Sequence, residues 1–193
     1  MRERIMEILK DAGAFLEGHF LLTSGKHSNA YVQCAKVLRY PHYSEEILSY
    51  VAEQIKDLEI DLIVGPAMGG IIVSYELGRQ MKKEAIFTER VDNEMKLRRG
   101  FEIPEGAKVL IAEDVITTGK STMEVKEIVE SSGGKVVGAA CLVDRRTADS
   151  KLDVPLYSAI KLEIETFEPD NCPMCKEGTI ELVKPGSRKI TKK

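Results

Sequence analysis

The stretch VLIAEDVITTGKST, residues 109–122, carries the clearest chemistry in the chain. Its last four letters are those that close an ATP-binding P-loop. A P-loop also needs a glycine five positions before the Gly119-Lys120 pair, because the turn around the phosphates begins there. Asp114 occupies that position. The stretch therefore needs another explanation, one that gives a role to its two acidic residues.

The same residues suit a ribose 5-phosphate. VLIA predicts a buried strand with Glu113 and Asp114 at its end, and ITTGKS turns into a helix whose free N–H groups can bind one phosphate. Two carboxylates would repel a triphosphate, but they accept hydrogen bonds from a pair of sugar hydroxyls. Alternatively the acids only cap the helix and Lys120 points to solvent. The length and order of the pattern favour the ligand site.

A second loop, GPAMGG at 65–70, lies between a predicted strand and a predicted helix. Its glycines would let backbone amides approach a ligand closely, although an ordinary strand-to-helix turn would have the same composition. Apolar runs at 60–64, 84–89, 108–113 and 135–143 alternate with helical stretches, which predicts a parallel sheet covered on both faces. In such a sheet, ligands bind beyond the carboxyl ends of the strands.

Composition excludes several classes of protein. The 193 residues, 43% hydrophobic and 31% charged, suit one globular domain. A net charge of -3 gives no basic field for nucleic acid or membrane binding. The N-terminus lacks the apolar region of a secretory signal, and no apolar run approaches the roughly 18 residues of a membrane span. Four cysteines, two of them in apolar strand-like segments, predict a reduced, cytoplasmic protein.

VLIAEDVITTGKS closely resembles the binding motif for phosphoribosyl diphosphate (PRPP) of type I phosphoribosyltransferases. In that family the acid pair holds the ribose 2- and 3-hydroxyls and the next loop holds the 5-phosphate. The resemblance covers most of the chain. It implies an α/β fold with a central parallel sheet flanked by helices. A single domain, 1–193, would consist of a core at about 43–162 and a small hood from about 1–40 plus about 165–193.

Two further segments resemble the orotate-using branch of the family. FLLTSGKHSNAYVQC looks like the Ser-Gly-basic-x-Ser hood on the orotate side, and VDRRT at 143–147 looks like the Asp-Arg element whose arginine meets the orotate carboxylate. Orotate is a flat anion, so its pocket needs a guanidinium, for which Arg145 is the candidate. An ordinary surface pairing of Arg145 with Asp144 or Asp149 is the alternative.

The polar segment ERVDNEMKLRRGFEIPEG, 89–106, predicts a solvated, mobile loop. In the family a flexible loop closes over PRPP and presents a lysine, often across the interface of a homodimer. Lys96 resembles that lysine and Arg90 the arginine at the start of the loop, while Arg98 and Arg99 are weaker candidates. The resemblance thus implies a homodimer that shares the loop at 90–100.

The resemblance implies a transferase that joins PRPP and orotate, giving orotidine 5′-monophosphate and diphosphate in pyrimidine synthesis. It implies Mg²⁺ held mainly by PRPP and water, without a metal site made of protein ligands alone. The implied catalytic residues are Lys96 and Asp114. The implied PRPP-binding residues are Ala67, Met68, Gly69, Gly70, Arg90, Lys96, Glu113, Asp114, Val115, Ile116, Thr117, Thr118, Gly119, Lys120 and Ser121. The implied orotate-binding residues are Lys26, Thr117 and Arg145.

The chain departs from the common orotate pattern at three places. It has Thr23 where many members have lysine, Met68-Gly69 where many have Tyr-Lys, and no histidine in the loop at 89–106. These departures leave the diphosphate contacts open and keep a purine-specific transferase as an alternative. A PRPP-sensing regulator is another alternative, but it would be expected to add a helix-turn-helix or a basic face, and the pI is about 5.8.

The motif CPMC, with Cys172 and Cys175, resembles half of a zinc site. A structural zinc needs four ligands, so a second pair would have to come from a partner subunit or from Cys34 and Cys141. Reduced thiols are the default expectation. His19 and His42 are predicted to be surface or packing residues, and His27 could face the substrate.

Overall fold

The computed structural model describes residues 1–22, 24–147, 150 and 152–185. Its main sheet has six strands in the order β5-β4-β3-β6-β7-β8, all parallel except β5, which is antiparallel to β4. The strands are β3 (Leu62–Pro66), β4 (Glu84–Val91), β5 (Glu94–Leu97), β6 (Lys108–Ile116), β7 (Lys135–Asp144) and β8 (Leu156–Lys161). The predicted α/β fold with a central parallel sheet is confirmed.

Helices cover both faces of this sheet. They are α1 (Arg2–Asp11), α2 (Ala35–Leu38), α3 (Pro41–Gln54), α4 (Gly69–Met81) and α5 (Lys120–Ser131). Alternate residues of β6 enter two separate clusters: Leu110 and Ala112 pack with the first four helices, and Val109 and Ile111 pack with α5. Because both sets are fully buried, β6 is the central strand of the molecule. In the described part of the chain, no helix is long and apolar enough to cross a membrane.

A second, smaller sheet combines segments from both ends of the chain. Its strands run in the order β10-β1-β2-β9, where β1 (Phe15–Leu21) and β2 (His27–Val32) form an antiparallel pair. The C-terminal segment adds β9 (Thr166–Phe167) beside β2 and β10 (Leu182–Val183) beside β1. Between these two strands lie a 3-10 turn, Pro169–Asn171, and the short helix α6, Pro173–Glu177.

The loop predicted at 89–106 is partly a β-hairpin. β4 continues to Val91, and Asp92 and Asn93 turn the chain with φ angles of 52° and 67° before β5 begins. Asn and Asp tolerate the left-handed region that a two-residue hairpin turn requires. The irregular connection is therefore limited to 98–107, between β5 and β6.

Glycines let the loop after β3 pack directly on β6. A Cβ atom at Gly65 would lie 2.1 Å from the carbonyl oxygen of Gly70, and one at Gly70 would lie 2.8 Å from that of Ala112. Real Cβ atoms do not approach backbone this closely, so a larger residue at either position would push the loop away from β6. The close packing brings the ends of β3 and β6 to one site.

Candidate active site

The acid pair lies within β6 rather than after it, because this strand continues to Ile116. The side chains of Glu113 and Asp114 are largely withdrawn from solvent, with Glu113 only 9% exposed. Gly69, at the start of α4, lies against the second acid: a Cβ atom there would be 2.3 Å from the Asp114 Cγ. Only a glycine allows the loop backbone to approach the carboxylate this closely.

Burial makes both acids harder to ionise. It raises the pKa of Glu113 to about 8, with the neighbouring negative charge of Asp114 as the second cause. Burial also raises the pKa of Asp114, against the hydrogen bond that the Val115 N–H donates to its Oδ1 at 2.9 Å. Within the described residues, no lysine or arginine forms an ion pair with either carboxylate. The pair therefore offers acceptor oxygens to hydroxyls or to a hydrated cation.

The loop after the acids surrounds a small cavity of about 70 Å³. Gly119 turns the chain with φ 78°, and α5 begins at the next residue. The Thr122 side-chain oxygen is buried and has no hydrogen-bond partner among the described residues. The cavity is lined by Glu113, Val115, Ile116, Thr117, Thr118, Gly119, Lys120, Ser121 and Thr122. The predicted 5-phosphate residues are thus brought together at a helix N-terminus, the usual geometry for binding one phosphate.

The GPAMGG loop supplies fewer donors than its sequence predicts. The Ala67 N–H donates to the Thr88 carbonyl at 2.8 Å, so this amide already has an acceptor within the chain, and a contact of Ala67 with PRPP stays a prediction. The Met68 side chain is 81% exposed, and the Ala67–Met68 peptide bond is cis. The amides of Met68, Gly69 and Gly70 remain as the candidate donors in this loop.

A larger cavity of about 730 Å³ adjoins the phosphate cavity. Thr117 and Thr118 line both cavities, and the three predicted orotate-binding residues, Lys26, Thr117 and Arg145, all line the larger one. Further lining residues, which were not predicted to bind orotate, are Leu21, Leu22, Ser24, Tyr31, Gln33, Thr147, Thr166, Lys184 and Pro185. Tyr31 in β2 and Gln33, the residue after that strand, are two apart, and this spacing was the available signal, since alternate residues of an extended segment share a face.

Arg145 follows β7 and is held by its backbone, whose N–H donates to the Ile116 carbonyl at 2.8 Å. Burial lowers the pKa of its guanidinium, and its Nε has no hydrogen-bond partner among the described residues. The alternative pairing with Asp144 is wrong, because Asp144 binds Arg146 through two contacts of 3.0 Å. The other alternative partner, Asp149, lies outside the described residues. Arg145 therefore presents a partly desolvated cation to the larger cavity.

Lys26 lines the same cavity from the β1–β2 turn. Its Nζ lies 2.8 Å from Glu168 Oε1, and both side chains are about half exposed or more, at 46% and 61%. An exposed pair of this kind is weak and readily exchanged. A substrate anion could therefore compete for the lysine. Thr23, which stands where many members of the family have a lysine, lies outside the described residues.

The cations of the hairpin do not reach the acid pair within this chain. Lys96 lies on β5, where its Nζ contacts Glu94 Oε2 at 2.9 Å, and it lines neither cavity. Arg90 pairs with Glu124 of α5 and donates to the Asn93 carbonyl at 2.6 Å. Arg98 and Arg99 both approach Glu89, at 3.9 and 3.0 Å. These residues would need a movement of the hairpin, or a second subunit, to meet a ligand at Asp114.

The raised pKa of Glu113 predicts a pH-dependent stability. Between its ordinary value of about 4.3 and about 8, folded Glu113 holds a proton that the unfolded chain has lost, so the free energy of unfolding falls as pH rises through this window. Between about pH 5 and about pH 8.5, we expect the free energy of unfolding of the ligand-free wild type to fall by roughly 2 to 4 kcal/mol more than that of the Glu113→Gln variant. Urea unfolding at both pH values measures this. Glu53→Gln, at an exposed site, should show the same pH dependence as wild type. If the free energy of unfolding changed equally with pH in wild type and in Glu113→Gln, the raised pKa of Glu113 would be contradicted.

The chain is similar to known proteins in sequence and in fold. A family model described as "Phosphoribosyl transferase domain" matches residues 42–170. A curated orotate phosphoribosyltransferase from Caldanaerobacter subterraneus subsp. tengcongensis is 53% identical over 98% of this chain and 99% of its own length. An orotate phosphoribosyltransferase structure from Aeropyrum pernix has 28% identity and a TM-score of 0.70, over 82% of this chain and 93% of that one.

A UMP synthase structure from Leishmania donovani, at 24% identity and a TM-score of 0.71, supports the fold alone. It covers 82% of this chain, which spans 36% of that longer protein. The family model matches well over half of the chain, and the curated relative matches nearly all of it. The fold agrees with these matches, and the chain belongs to the phosphoribosyltransferase family.

Proposed function

We propose that this protein transfers the phosphoribosyl group of PRPP to orotate, forming orotidine 5′-monophosphate and diphosphate for pyrimidine synthesis. One observation supports orotate as the base. Arg145 lines the larger cavity beside the loop at 117–121, and among the described residues no carboxylate forms an ion pair with its guanidinium. The carboxylate of orotate would supply the missing anion. A purine base has no carboxylate, so a purine substrate would leave this guanidinium buried without a partner.

The chain's own residues can orient PRPP through its fixed groups. The 5-phosphate would accept hydrogen bonds from the amides and hydroxyls of the loop at 117–121, and the ribose hydroxyls would donate to Glu113 and Asp114. The amides of Met68, Gly69 and Gly70 would face the diphosphate. Hydroxyl donors favour the ionised form of a carboxylate, so they would offset part of the effect of burial on the acid pair.

The reaction needs no covalent enzyme intermediate. The bond from ribose C1 to diphosphate breaks with its electron pair going to diphosphate, and a bond from orotate N1 to C1 forms as N1 loses its proton. Positive charge develops at C1 and negative charge grows on the leaving group, so amides and cations near diphosphate are the groups that accelerate the step. Closing the site would exclude water that could capture the cation.

Mg²⁺ fits this site as part of the substrate complex. The partly buried Asp114 and Glu113 carboxylates lack cationic partners among the described residues and can accept hydrogen bonds from the water of a hydrated ion. When bound to PRPP, the ion would neutralise charge on the diphosphate. We propose that PRPP and water supply most of its ligands.

A homodimer would complete the site. Met68, Ile72 and Tyr75 are 81%, 43% and 68% exposed, and their spacing of four and three residues places them along one side of α4. Exposed apolar residues grouped in this way are typical of interaction surfaces. Since Lys96 does not line its own chain's cavities, we propose that the hairpin at 90–100 reaches the neighbouring site. The cytoplasm is the proposed compartment, in keeping with four free cysteines.

The substrate assignment is tested with purified protein, PRPP and Mg²⁺. Orotate absorbance should decrease, whereas adenine, guanine and hypoxanthine should not be consumed. Arg145→Ala should raise the orotate KM by about 10- to 100-fold, the equivalent of one lost charge-assisted contact, while PRPP affinity changes little. Arg4→Ala, an exposed arginine paired with Glu46, is the control. Consumption of a purine, or equal damage to both substrates by Arg145→Ala, would contradict the assignment.

The acid pair is tested by Asp114→Asn. The amide keeps the shape of the carboxylate but accepts hydrogen bonds more weakly, so the PRPP dissociation constant should rise by about 10- to 100-fold. Isothermal calorimetry measures the affinity, and circular dichroism verifies the fold. Asp11→Asn at an exposed position of α1 is the matched control. Unchanged PRPP affinity in Asp114→Asn would remove Asp114 from the site.

Sharing of the hairpin is tested by complementation. Lys96→Ala should lower kcat far more than it weakens PRPP binding, because the leaving-group charge develops only as the bond breaks. If Lys96 acts on the neighbouring subunit, each Lys96→Ala and Asp114→Asn heterodimer contains one intact site, so a mixture should recover about a quarter of wild-type activity after random exchange. Native mass spectrometry confirms the exchange. A mixture that exchanges but stays as inactive as its parents would assign Lys96 to its own subunit or remove its role.

A further inference from the structure

The C-terminal segment is ordered with very little apolar burial. Of residues 163–185, only Cys172 is buried, and the strands that join the segment to β1 and β2, namely β10 and β9, have two residues each. Ordering one residue costs roughly 1 to 2 kcal/mol of backbone conformational entropy. Besides its few apolar contacts, the segment has the short pairings of β9 and β10 and a few hydrogen bonds to β1 and β2, so a further bond between the segment and these strands would add substantially to its stability.

Four potential metal ligands meet where this segment contacts β1 and β2. They are His19 of β1, His27 of β2, and Cys172 and Cys175 of the CPMC motif. His19 is only 3% exposed, which agrees with the packing alternative and not with the surface alternative. His27 is 5% exposed and lines neither of the two cavities. Cys34 and Cys141, the alternative second pair, are buried in the main core instead.

The separations between the ligand atoms suit one tetrahedral ion. A zinc ion with bonds of about 2.0 Å to nitrogen and about 2.3 Å to sulfur keeps its ligand atoms about 3.3 to 3.8 Å apart. His19 Nε2 lies 3.0 Å from His27 Nδ1 and 3.4 Å from Cys172 Sγ. Cys175 Sγ lies 3.6 Å from His19 Nε2 and 3.3 Å from His27 Nδ1. All four ligand atoms lie within 4.8 Å of one another.

A backbone contact fixes which nitrogen of His19 carries the proton. His19 Nδ1 lies 3.2 Å from the Ile180 carbonyl, which can only accept, so Nδ1 must be the donor. In the neutral ring, Nε2 then presents its lone pair to the cluster. Metal-binding histidines usually donate their other ring N–H to a carbonyl or carboxylate in this way. The donor to this contact belongs to β1, and the acceptor belongs to the same C-terminal segment as the cysteines.

We propose that His19, His27, Cys172 and Cys175 bind a structural Zn²⁺ ion that fixes the C-terminal segment to β1 and β2. Two thiols lose their protons on binding, so two thiolates, two neutral imidazoles and Zn²⁺ form a centre of zero net charge. Four protein ligands leave no open position for substrate or water, which is the pattern of a structural zinc site rather than a catalytic one. The two pairs of ligands are about 150 residues apart in sequence, so only the folded chain brings them together.

Two arrangements without a metal compete with this proposal. The four groups could form a hydrogen-bonded cluster of neutral thiols and imidazoles, or Cys172 and Cys175 could oxidise to a disulfide. Both arrangements bring the same four residues together, so the metal content and the spectrum of the protein are needed to distinguish them from a zinc site. All four cysteines are free thiols here.

The first test measures metal in protein expressed without a histidine tag in zinc-supplemented medium and purified with a non-chelating reductant. Elemental analysis should find about one zinc per chain. Cys175→Ser should lose most of it, and because Cys175 is exposed this variant should still fold. Cys141→Ala, which removes a buried thiol outside the cluster, should keep wild-type zinc content. Wild-type zinc no higher than that of Cys175→Ser would overturn the proposal.

A second test uses cobalt and needs no catalytic activity. Co²⁺ added to the metal-free protein should give the strong visible absorption of a tetrahedral site together with a thiolate-to-metal band in the near ultraviolet, and zinc should displace it. Removal of the ion should lower the melting temperature of wild type but leave that of Cys175→Ser unchanged. It should also speed proteolysis within 165–185, measured by mass spectrometry. A cobalt spectrum equal in wild type and Cys175→Ser, or one lacking the thiolate band, would also overturn the assignment.

Discussion

The geometry of the candidate site depends on the burial of two adjacent carboxylates, those of Glu113 and Asp114, on β6. Glu113 and Asp114 lie where β6 is covered by the loop before α4, and Gly69 approaches Asp114 so closely that a side chain at position 69 would clash with the carboxylate. Their pKa values rise because of this burial. A buried acid without a cationic partner is costly unless a ligand supplies donors. The arrangement therefore lowers the stability of the free protein and leaves both carboxylates without a cationic partner among the described residues.

The parallel sheet and the acid pair could be predicted because both depend on local sequence. Strands buried on both faces appear as continuous apolar runs, and the ends of neighbouring parallel strands must meet at one edge. These two facts place GPAMGG, the acid pair and Arg145 together without knowledge of side-chain contacts. The exact end of β6 could not be predicted, because Val115 and Ile116 continue the strand through pairing with β7, which is a tertiary contact.

The proposed zinc ligands and most residues of the larger cavity could not be predicted, because they meet through tertiary contacts and not through local sequence. His19 and His27 are close in sequence, but they meet Cys172 only because β9 and β10 join the sheet of β1 and β2. A two-residue strand has almost no sequence signature, so neither β9 nor β10 could be foreseen. The hairpin at 92–93 was foreseeable, since Asp-Asn between alternating residues favours a tight turn, but the charge of the segment favoured a loop.

The two ends of the chain meet again at the base cavity. Lys26 adjoins His27 of the cluster and pairs with Glu168, while Thr166, Lys184 and Pro185 contribute another wall. The opposite wall, with Thr117 and Arg145, belongs to the main sheet. The cavity is therefore bounded on one side by a rigid core and on the other by a segment with few apolar contacts. If the proposed base binds here, its selectivity depends on how firmly that segment is held, because a contact such as that with Arg145 discriminates between ligands only when the facing wall limits where the ligand can lie.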